Sequence, residues 1–475
     1  MSSRVLRVRN PVAALEDGVR AIQQEQKLET EFPADVVAAA VAAAANPRLP
    51  ALDRTDLPFV TIDPDGSMDL DQAMHLERDG TGYVVHYAIA DVAAFVTDGD
   101  PVDVEARRRG ESLYGADSKI PLHPKELSEG AASLLPEQAR PVFLWTIKLD
   151  AAGVQTDAHV ERALVRSVER LDYEGVQKQI DDGTASPMLM LLAEVGRLRE
   201  KQEAERGGVS LPMPEQVVDC GPDTWTLEFR QLLDVEGWNA QISLLTGFAA
   251  ASIMVYGKVG VLRTLPPPEP FAVKRLHRTA TALGIDWPAE QTYPDFIRAL
   301  DPGKPEHLAM ITACTSLLRG AGYAAFDGEV PAQPLHAALA SEYAHVTAPL
   351  RRLVDRFGLE VCAALCAGTP VPEWVRSGLA ALPDTMRESG RRANAYENAV
   401  LNLVEAATLQ DKVGQRFPGV VVETERDDPL KGDLVVSEPA VTATVTSTTS
   451  LPIGQTITAT LTEADPVTRK VRFTV

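Results

Sequence analysis

The 475-residue sequence has little of what would place a protein in a membrane or outside the cell. Four cysteines are too few in so long a chain to indicate a disulfide framework. We find no apolar run of membrane-spanning length, and the first fifteen residues lack the long apolar core of a secretory signal. These absences favour a cytoplasmic protein with no membrane partner, and we expect a monomer.

Positive charge is also scarce, because 46 Lys and Arg residues face 67 Asp and Glu residues, which gives a formal net charge of −21. This balance argues against a protein that coats nucleic acid through its overall field. It does not exclude an enzyme that acts on nucleic acid. Such an enzyme needs only a local basic channel, and metal-binding carboxylates themselves contribute negative charge.

What the sequence does contain is a dense acidic stretch, TIDPDGSMDLDQ, at residues 61–72. Four carboxylates fall within nine residues: Asp63, Asp65, Asp69 and Asp71. They repel one another unless a cation lies among them. Hard cations such as Mg²⁺ and Mn²⁺ bind carboxylates and waters, and they complete their shells with substrate phosphates. The apolar run before this stretch and the alternating run at residues 82–90 predict two flanking strands.

Two other interpretations of the acidic stretch have to be weighed. The pair Asp65-Gly66 between two strands could be an ordinary hairpin turn whose carboxylates are solvated. A calcium loop of the EF-hand type is excluded, because Gly66 stands at loop position four rather than six and Met74 stands at position twelve in place of Glu. Spacing alone therefore leaves a metal site and a decorated turn as alternatives.

Local patterns divide the chain into three parts and predict an α+β fold. Residues 1–50 indicate two helices, which are either an ordinary packing pair or a helix-turn-helix-like module. Residues 51–412 alternate strand and helix patterns at first and are mainly helical from Glu228 onward. Residues 413–475 carry five short Val/Thr-rich runs separated by turn residues, which predict a five-stranded barrel of the OB type.

Four motifs occur in a consistent order between residues 50 and 410: TIDPDGSMDLDQAMHL, YAIADVAAFV, RRRGESLYGADSKIPLHPKELSEGAASLLP and YAHVTAPLRRLVD. Together they resemble the ribonuclease II family, and the C-terminal barrel resembles the S1 domain that such enzymes usually carry. The resemblance implies an RNB-type mixed sheet with surrounding helices. It also implies a processive 3′→5′ exoribonuclease that converts single-stranded RNA to nucleoside 5′-monophosphates with Mg²⁺ or Mn²⁺.

The N-terminal part departs from the family pattern. About fifty helical residues cannot supply the paired cold-shock domains that usually precede the RNB domain. The family pattern therefore does not define the path of RNA into the site. If the channel mouth is less enclosed, we expect partly duplexed RNA with a short 3′ overhang to be accepted more readily.

The resemblance implies the metal motif D-x5-D-x-D-D, whose positions here are Asp63, Asp69, Asp71 and Gln72. The first three positions match the family. Gln72 replaces an acid, so it brings an amide oxygen without a charge, and we expect a second ion to bind more weakly. The catalytic groups implied are Asp69 and Asp71 together with Arg351, in TAPLRR, at the position of the family arginine. A guanidinium there stabilises charge on the reacting phosphate, although a solvated arginine at a helix start is the alternative interpretation.

Four residues are implied to bind substrate: Tyr114, Tyr173, Arg352 and Glu397. Tyr114 is expected to stack on the 3′-terminal nucleotide without sequence preference, and Tyr173 is expected to keep that nucleotide in register. Without the resemblance, both tyrosines would be interpreted as amphipathic core residues. Phosphate contacts are equally open to interpretation as solvated surface, and the candidates are Arg107, Arg108, Arg109, Arg391 and Arg392.

Departures from the family pattern keep a second class of function open. Gln72 replaces a metal ligand, Ala348 replaces a serine near the arginine, and two leucines at 244–245 stand where a further acid is expected. These changes are compatible with a catalytically weakened RNB-fold protein that has an RNA-binding or regulatory role. A metal phosphodiesterase acting on a small substrate is a third interpretation.

Overall fold

The structure is a computed structural model that describes residues 12–116, 118–220 and 225–475, so the first eleven residues of the predicted N-terminal module lie outside the described part. The α-helices in that part are α1 Val12–Glu25, α2 Ala34–Ala45, α3 Pro101–Arg109, α4 Tyr173–Asp181, α5 Pro187–Arg206, α6 Asp234–Gly257, α7 Pro270–Ala282, α8 Tyr293–Arg298, α9 Pro305–Cys314, α10 Leu353–Cys366, α11 Glu373–Leu379 and α12 Leu382–Leu409. The strands are β1 Phe59–Asp63, β2 Gln72–Asp79, β3 Gly82–Ala90, β4 Leu113–Tyr114, β5 Lys119–Ile120, β6 Ala139–Leu149, β7 Gln155–Asp172, β8 Glu215–Cys220, β9 Trp225–Arg230, β10 Val259–Thr264, β11 Gly322–Asp327, β12 Leu335–His336, β13 Ser341–Glu342, β14 Arg416–Glu425, β15 Asp428–Val436, β16 Val441–Thr446, β17 Thr456–Asp465 and β18 Lys470–Thr474.

A closed five-stranded barrel of β1, β2, β3, β6 and β7 carries the acidic stretch. Neighbouring strands are antiparallel except for β1 and β7, which run parallel and place Asp63 beside Asp172. All nine residues of β3 are buried, because helices cover the barrel. Tyr87 and Trp145 belong to the apolar cluster that joins the barrel to these helices. This barrel, with its one parallel pair, confirms the predicted mixed sheet with surrounding helices.

The sequence analysis missed β2, because it placed a single turn between β1 and β3. The acidic residues instead form a loop from β1 to β2, and Gln72 is the first residue of β2, paired with Ile89 of β3. Only the first part of β2 is buried, since Ala73, Met74 and Leu76 face the core and residues 77–79 are exposed. The apolar alternation is therefore too short to indicate a strand from the sequence.

The mainly helical region after Glu228 also contains strands, among them the antiparallel pair β10 and β11. Its central helix, α6, is long and apolar enough to cross a membrane by length and composition, so the statement from the sequence that no run has this length was wrong. Half of that apolar window is buried inside the protein, where α6 packs against α5 and α10. The burial is that of a core helix.

The two N-terminal helices pack on different parts of the chain. Val19 and Ile22 of α1 join an apolar cluster with Tyr396 of α12. Val36 and Ala40 of α2 belong to another cluster, which covers the wall of the first barrel. Each helix thus braces a separate surface, and a helix-turn-helix role for this module stays a prediction.

The C-terminal strands form a second closed barrel in the order β14-β15-β16-β18-β17, which confirms the five-stranded barrel predicted from the sequence. Its core shares one apolar cluster with α1 and α12. Phe417 and Phe473, the two aromatic residues of this barrel, are buried in that core. They fix the barrel fold and leave no aromatic ring on its described surface.

Candidate active site

The loop that carries the acidic residues is held by hydrogen bonds on both sides. Ser133 Oγ accepts from the Leu70 N–H at 3.0 Å and donates to the Met68 carbonyl at 2.6 Å. The Ala90 N–H of β3 donates to the Asp71 carbonyl at 2.9 Å. Because Leu70 is fully buried between Asp69 and Asp71, the backbone that positions both carboxylates is fixed.

Asp71 lies against the segment that precedes α10. The Leu350 N–H donates to Asp71 Oδ1 at 2.7 Å, and Arg351 Nε lies 3.8 Å from Asp71 Oδ2. The Asp71 side chain is 6% exposed, whereas that of Arg351 is 46% exposed. The arginine can therefore face a ligand in the solvent while it remains beside the buried carboxylate.

Burial and mutual repulsion raise the pKa values of two acids in this site. Burial raises the pKa of Asp71 to about 8, against the opposing effects of Arg351 and the Leu350 hydrogen bond. Burial also raises the pKa of Asp63 to about 6, and Asp69 adds to the shift while Arg351 opposes it. Asp63 and Asp71 thus interact with the same acid and the same arginine. Both shifts disfavour the charged form of the acid, and a cation bound beside either carboxylate would oppose them.

Gln72 uses its amide nitrogen for a contact inside the protein, and its predicted ligand role stays a prediction. Its side-chain amide donates a hydrogen bond to the Thr347 carbonyl, in the segment that also contains Arg351. The Thr347 hydroxyl in turn lies 2.9 Å from the Ser243 hydroxyl of α6. An acid at position 72 could not make this contact while ionised, because a carboxylate has no proton to donate.

Asp69 has a partner that the sequence analysis did not identify. Lys119 Nζ lies 2.9 Å from Asp69 Oδ1 and 3.2 Å from Glu129 Oε1. All three side chains are largely buried, with exposed fractions of 18% to 23%. Lys119 belongs to one of the four sequence motifs, but nothing in its local spacing relates it to a loop fifty residues earlier.

Tyr114 lies near the acids because its strand is hydrogen-bonded to residues 347–353, the arginine segment, which contains Arg351. The Ser112 N–H donates to the Arg351 carbonyl at 3.0 Å, and the Leu353 N–H donates to the Gly110 carbonyl at 2.9 Å. The Tyr114 side chain is 37% exposed. Burial of its hydroxyl raises the pKa of Tyr114 to about 12, with Arg351 opposing the shift and Asp69 and Asp71 adding to it. Its ring is both partly open to solvent and next to the acidic loop.

Tyr173 begins α4, immediately after the residue that pairs with Asp63 in β7. Its hydroxyl accepts a hydrogen bond from Asn239 Nδ2 of α6 at 2.9 Å. Burial raises the pKa of Tyr173 to about 12, and Asp63 adds to the shift. The expected further acid at 244–245 has no substitute at the same place, but α6 presents Asn239 and Ser243 to this region instead.

Arg352 and Glu397, the other two residues implied to bind substrate, lie in different surroundings. Asp355 holds the Arg352 guanidinium through two hydrogen bonds of 2.9 Å and also accepts the Ala348 N–H at 2.7 Å. Glu397 is exposed on α12 and lies near Glu111, whose pKa burial raises with a contribution from Glu397. Their predicted substrate contacts stay predictions. The spacing of Asp355 three residues after Arg352 is a sequence feature that indicates such a pair.

The arginines proposed for phosphate contact are mostly engaged inside the protein. Arg107 pairs with Asp98 and Asp103. Glu105 accepts hydrogen bonds from both Arg108 and Arg109. Arg392 donates to the Arg108 and Arg109 carbonyls. These contacts fix α3 against α12 and leave Arg391, which is exposed, as the freest of the set.

The acidic side chains of the site offer few ligands to a divalent ion. In the described ranges, no three His, Cys, Asp or Glu side chains are grouped so that they could hold a metal ion. Mg²⁺ in proteins, however, commonly takes only one or two carboxylates and completes its shell with waters and substrate phosphates. The partly buried Asp63 and the buried Asp71, both with raised pKa values, are the candidates for that pair. The four-residue metal set stays a prediction.

Two family models match most of the sequence. Residues 52–358 match the model of the RNB domain, and residues 415–475 match the RNase II-type exonuclease C-terminal S1 domain. Ribonuclease R 1 of Lactococcus lactis is 24% identical over 88% of this chain and 55% of its own length. Ribonuclease R of Escherichia coli is 26% identical over 84% of this chain and 50% of its own length. The chain thus spans about half the length of these curated relatives.

Solved structures show the same fold. Mycoplasma genitalium RNase R in complex with ribose methylated single-stranded RNA superimposes with a TM-score of 0.86 at 20% identity, over 97% of this chain and 78% of that one. Yeast Ssd1, described as a pseudonuclease, superimposes with a TM-score of 0.69 at 15% identity, over 92% of this chain and 56% of that one. With its RNB match covering well over half of the sequence, this chain belongs to the RNB-domain ribonuclease family.

Proposed function

We propose that this protein is a divalent-metal-dependent 3′→5′ exoribonuclease that hydrolyses single-stranded RNA to nucleoside 5′-monophosphates. The observation that carries the proposal is the contact of buried Asp71 with Leu350 and half-exposed Arg351, beside the exposed face of Tyr114. It combines a carboxylate for a cation, a guanidinium for a phosphate and a ring for a base. The same positions carry the family motifs.

Each group has a role that follows from its surroundings. A divalent ion, when bound, lowers the pKa of a coordinated water and stabilises charge on the phosphate. Asp63 and Asp71 would hold that ion, and the Leu350 N–H keeps Asp71 in one orientation. Arg351 stabilises the negative charge that develops on the phosphate oxygens. Tyr114 stacks on a base, which positions the terminal phosphodiester without selecting a sequence.

A basic groove beside the C-terminal barrel supports RNA as the substrate. It has a volume of about 450 Å³ and lies between α7, α9 and the strand β14 of the C-terminal barrel. Its arginines are Arg275, Arg278, Arg319 and Arg426, none of which forms an ion pair with a carboxylate in the part of the chain that the structure describes. Phe271 lies in the same groove and is 68% exposed. Unpaired guanidinium groups beside an exposed ring suit the phosphates and bases of a single strand.

The deciding experiment uses a 5′-labelled single-stranded RNA of about thirty nucleotides, incubated with the purified chain and either Mg²⁺ or Mn²⁺. We expect a ladder that shortens from the 3′ end, release of nucleoside 5′-monophosphates, and no reaction in EDTA. A parallel substrate with a duplex and a short 3′ overhang tests the expected tolerance of partly duplexed RNA. Absence of shortening with every divalent ion would remove the proposal.

A catalytically weakened RNA-binding protein is the second candidate, and specific contacts favour it. Gln72 is engaged with the Thr347 carbonyl, and Lys119 occupies Asp69. The first contact fixes the orientation of the Gln72 amide, and the second engages one carboxylate oxygen of Asp69 that a metal would otherwise bind. The same labelled RNA separates the two candidates, because the weakened protein would retain RNA on a filter with no turnover over hours. Rapid hydrolysis of a small phosphodiester, independent of RNA length, would instead select the third interpretation.

A further inference from the structure

Lys119 forms a largely buried ion pair at the acidic loop, and the sequence analysis assigned it no role. Its ammonium group is shared between Asp69, in the loop before β2, and Glu129, in the π-helix Glu126–Ala131. The side chain is 18% exposed, so this is no freely solvated surface pair. A largely buried ion pair persists only when its geometry holds both charges together, because each charge has lost its water.

The backbone fixes each member of this contact independently. Lys119 pairs with Tyr114 across the β4–β5 ladder, and the Gly115 N–H closes that hairpin by donating to the Ser118 carbonyl at 2.7 Å. The loop that contains Asp69 is fixed by Ser133. Lys119 thus stands directly opposite the ring expected to stack on RNA. Its ammonium group extends to the acidic loop on the same side of the site.

Lys119 gives Asp69 and Glu129 a fixed counter-charge. Its ammonium group lies 2.9 Å from Asp69 Oδ1 and 3.2 Å from Glu129 Oε1. Arg351, by contrast, lies 3.8 Å from Asp71 and is half exposed. A second divalent ion at Asp69 would therefore have to displace the ammonium group or bind beside its positive charge. At the position where a second ion would gain a ligand, Gln72 contributes no charge and points its amide at Thr347.

We propose that Lys119 is a positioning residue that takes the place of a second divalent ion at Asp69, so that this chain binds one divalent ion where Asp63 and Asp71 meet the substrate. This inference rests on the proposed metal-dependent function. Lys119 holds Asp69 still, cancels its repulsion with the other acids and keeps the β4–β5 hairpin against the acidic loop. The ion that remains is held by the acids that have no lysine partner.

The test counts bound Mn²⁺ by equilibrium dialysis and by electron paramagnetic resonance, without RNA and without turnover. We expect Lys119→Met to bind one more Mn²⁺ per chain than the parent, because Asp69 and Glu129 lose their counter-charge. Lys119→Arg keeps a cation at the same place and should bind the parental number. The matched control is Lys125→Met, which removes the same charge from an exposed position six residues later. Equal numbers for Lys119→Met and the parent overturn the inference.

A second measurement needs no variant and therefore does not depend on the folding of one. The parent is acetylated with a trace of acetic anhydride, with and without saturating Mn²⁺, and modification of Lys119 is read by mass spectrometry against Lys125. We expect the labelling of Lys119 to be unchanged by Mn²⁺, since the ion binds elsewhere. Increased labelling shows that the ion displaces Lys119 and overturns the inference. Metal-free parent protein that degrades RNA would instead contradict the proposed function, whatever the Lys119 result.

Discussion

The backbone N–H of Leu350 donates a 2.7 Å hydrogen bond to the carboxylate of Asp71, 279 positions earlier in the chain. This contact joins the acidic loop at the end of the first barrel strand to the segment that carries Arg351. It also distinguishes Asp71 from the other acids of the loop. Asp71 is buried and oriented, whereas Asp65, on the same turn, is exposed.

Asp71→Asn should reduce RNA degradation by roughly 100- to 1,000-fold, because the variant cannot hold a cation with a full carboxylate charge. Its folding should be unaffected, since the asparagine oxygen still accepts the Leu350 N–H. The measurement is the initial rate of 3′ shortening of labelled single-stranded RNA in Mg²⁺, together with a thermal melt. Asp65→Asn is the matched control and should cut like the parent. Equal losses in both variants would refute a special role for Asp71.

Tyr114→Ala should weaken binding of a short oligoribonucleotide by roughly 5- to 150-fold, the range expected from the loss of one base stack. Tyr114→Phe should bind like the parent, because stacking uses the ring and not the hydroxyl. Binding is measured by fluorescence anisotropy in EDTA, so hydrolysis does not interfere. Tyr256, which is 92% exposed at the end of α6, provides the control Tyr256→Ala. A deficit of Tyr114→Phe as large as that of Tyr114→Ala would indicate a role for the hydroxyl instead.

The double variant Arg278→Gln/Arg319→Gln should weaken binding of a long single-stranded RNA and leave binding of a short one unchanged. Each phosphate contact on a single strand contributes about 0.7 to the slope of log affinity against log salt, so two lost contacts should lower that slope by about 1.4. Anisotropy titrations in EDTA at four salt concentrations provide the slope.

The control for this groove is Arg20→Gln/Arg387→Gln, which removes two exposed arginines that are paired with Asp17 and Asp384. It changes the net charge by the same amount at other places. A comparable loss in the control would show that binding depends on overall charge. If the parent protein binds an acidic protein more tightly than RNA through this groove, the groove binds a partner other than RNA.

Glu405→Gln should stabilise the protein at alkaline pH relative to the parent. Glu405 is buried between α12 and the second barrel, where Gln216 and the Thr442 N–H donate to it at 2.8 Å and 3.1 Å. Burial raises the pKa of Glu405 from 4.5 to about 7. Since the folded state disfavours the ionised form, the free energy of unfolding of the parent falls as pH rises from about 4.5 to 7. The glutamine variant lacks that loss, which amounts to about 3 kcal/mol at most.

Urea denaturation at pH 5 and pH 8.5 tests this expectation. Glu388→Gln, at an exposed position of the same helix, should show the same pH dependence as the parent. The prediction fails if the difference in stability between Glu405→Gln and the parent is the same at both pH values.

Much of the fold could be read from local patterns, and the failures have a common cause. Both N-terminal helices, β3 and the five strands of the second barrel follow the periodicity of their own residues. The first part of β2 is apolar for only a few positions, so its pairing with β3 depends on the barrel rather than on its own sequence. The antiparallel pair β10 and β11 lies within a region of helical pattern and joins strands from distant parts of the chain, so local periodicity did not indicate it.

The sequence by itself determined the acidic loop, the arginine segment and the order of the motifs, because these residues act through their chemical type and short-range spacing. Tertiary structure decided which of them meet. In the folded chain, Asp71 contacts Leu350 and Arg351, Asp69 contacts Lys119, and Gln72 contacts Thr347. These partners are separated by tens to hundreds of residues, and only closure of the barrel against the helices brings them within hydrogen-bonding distance. Burial, which raises the pKa of Asp71 to about 8, is likewise a property of the folded chain alone.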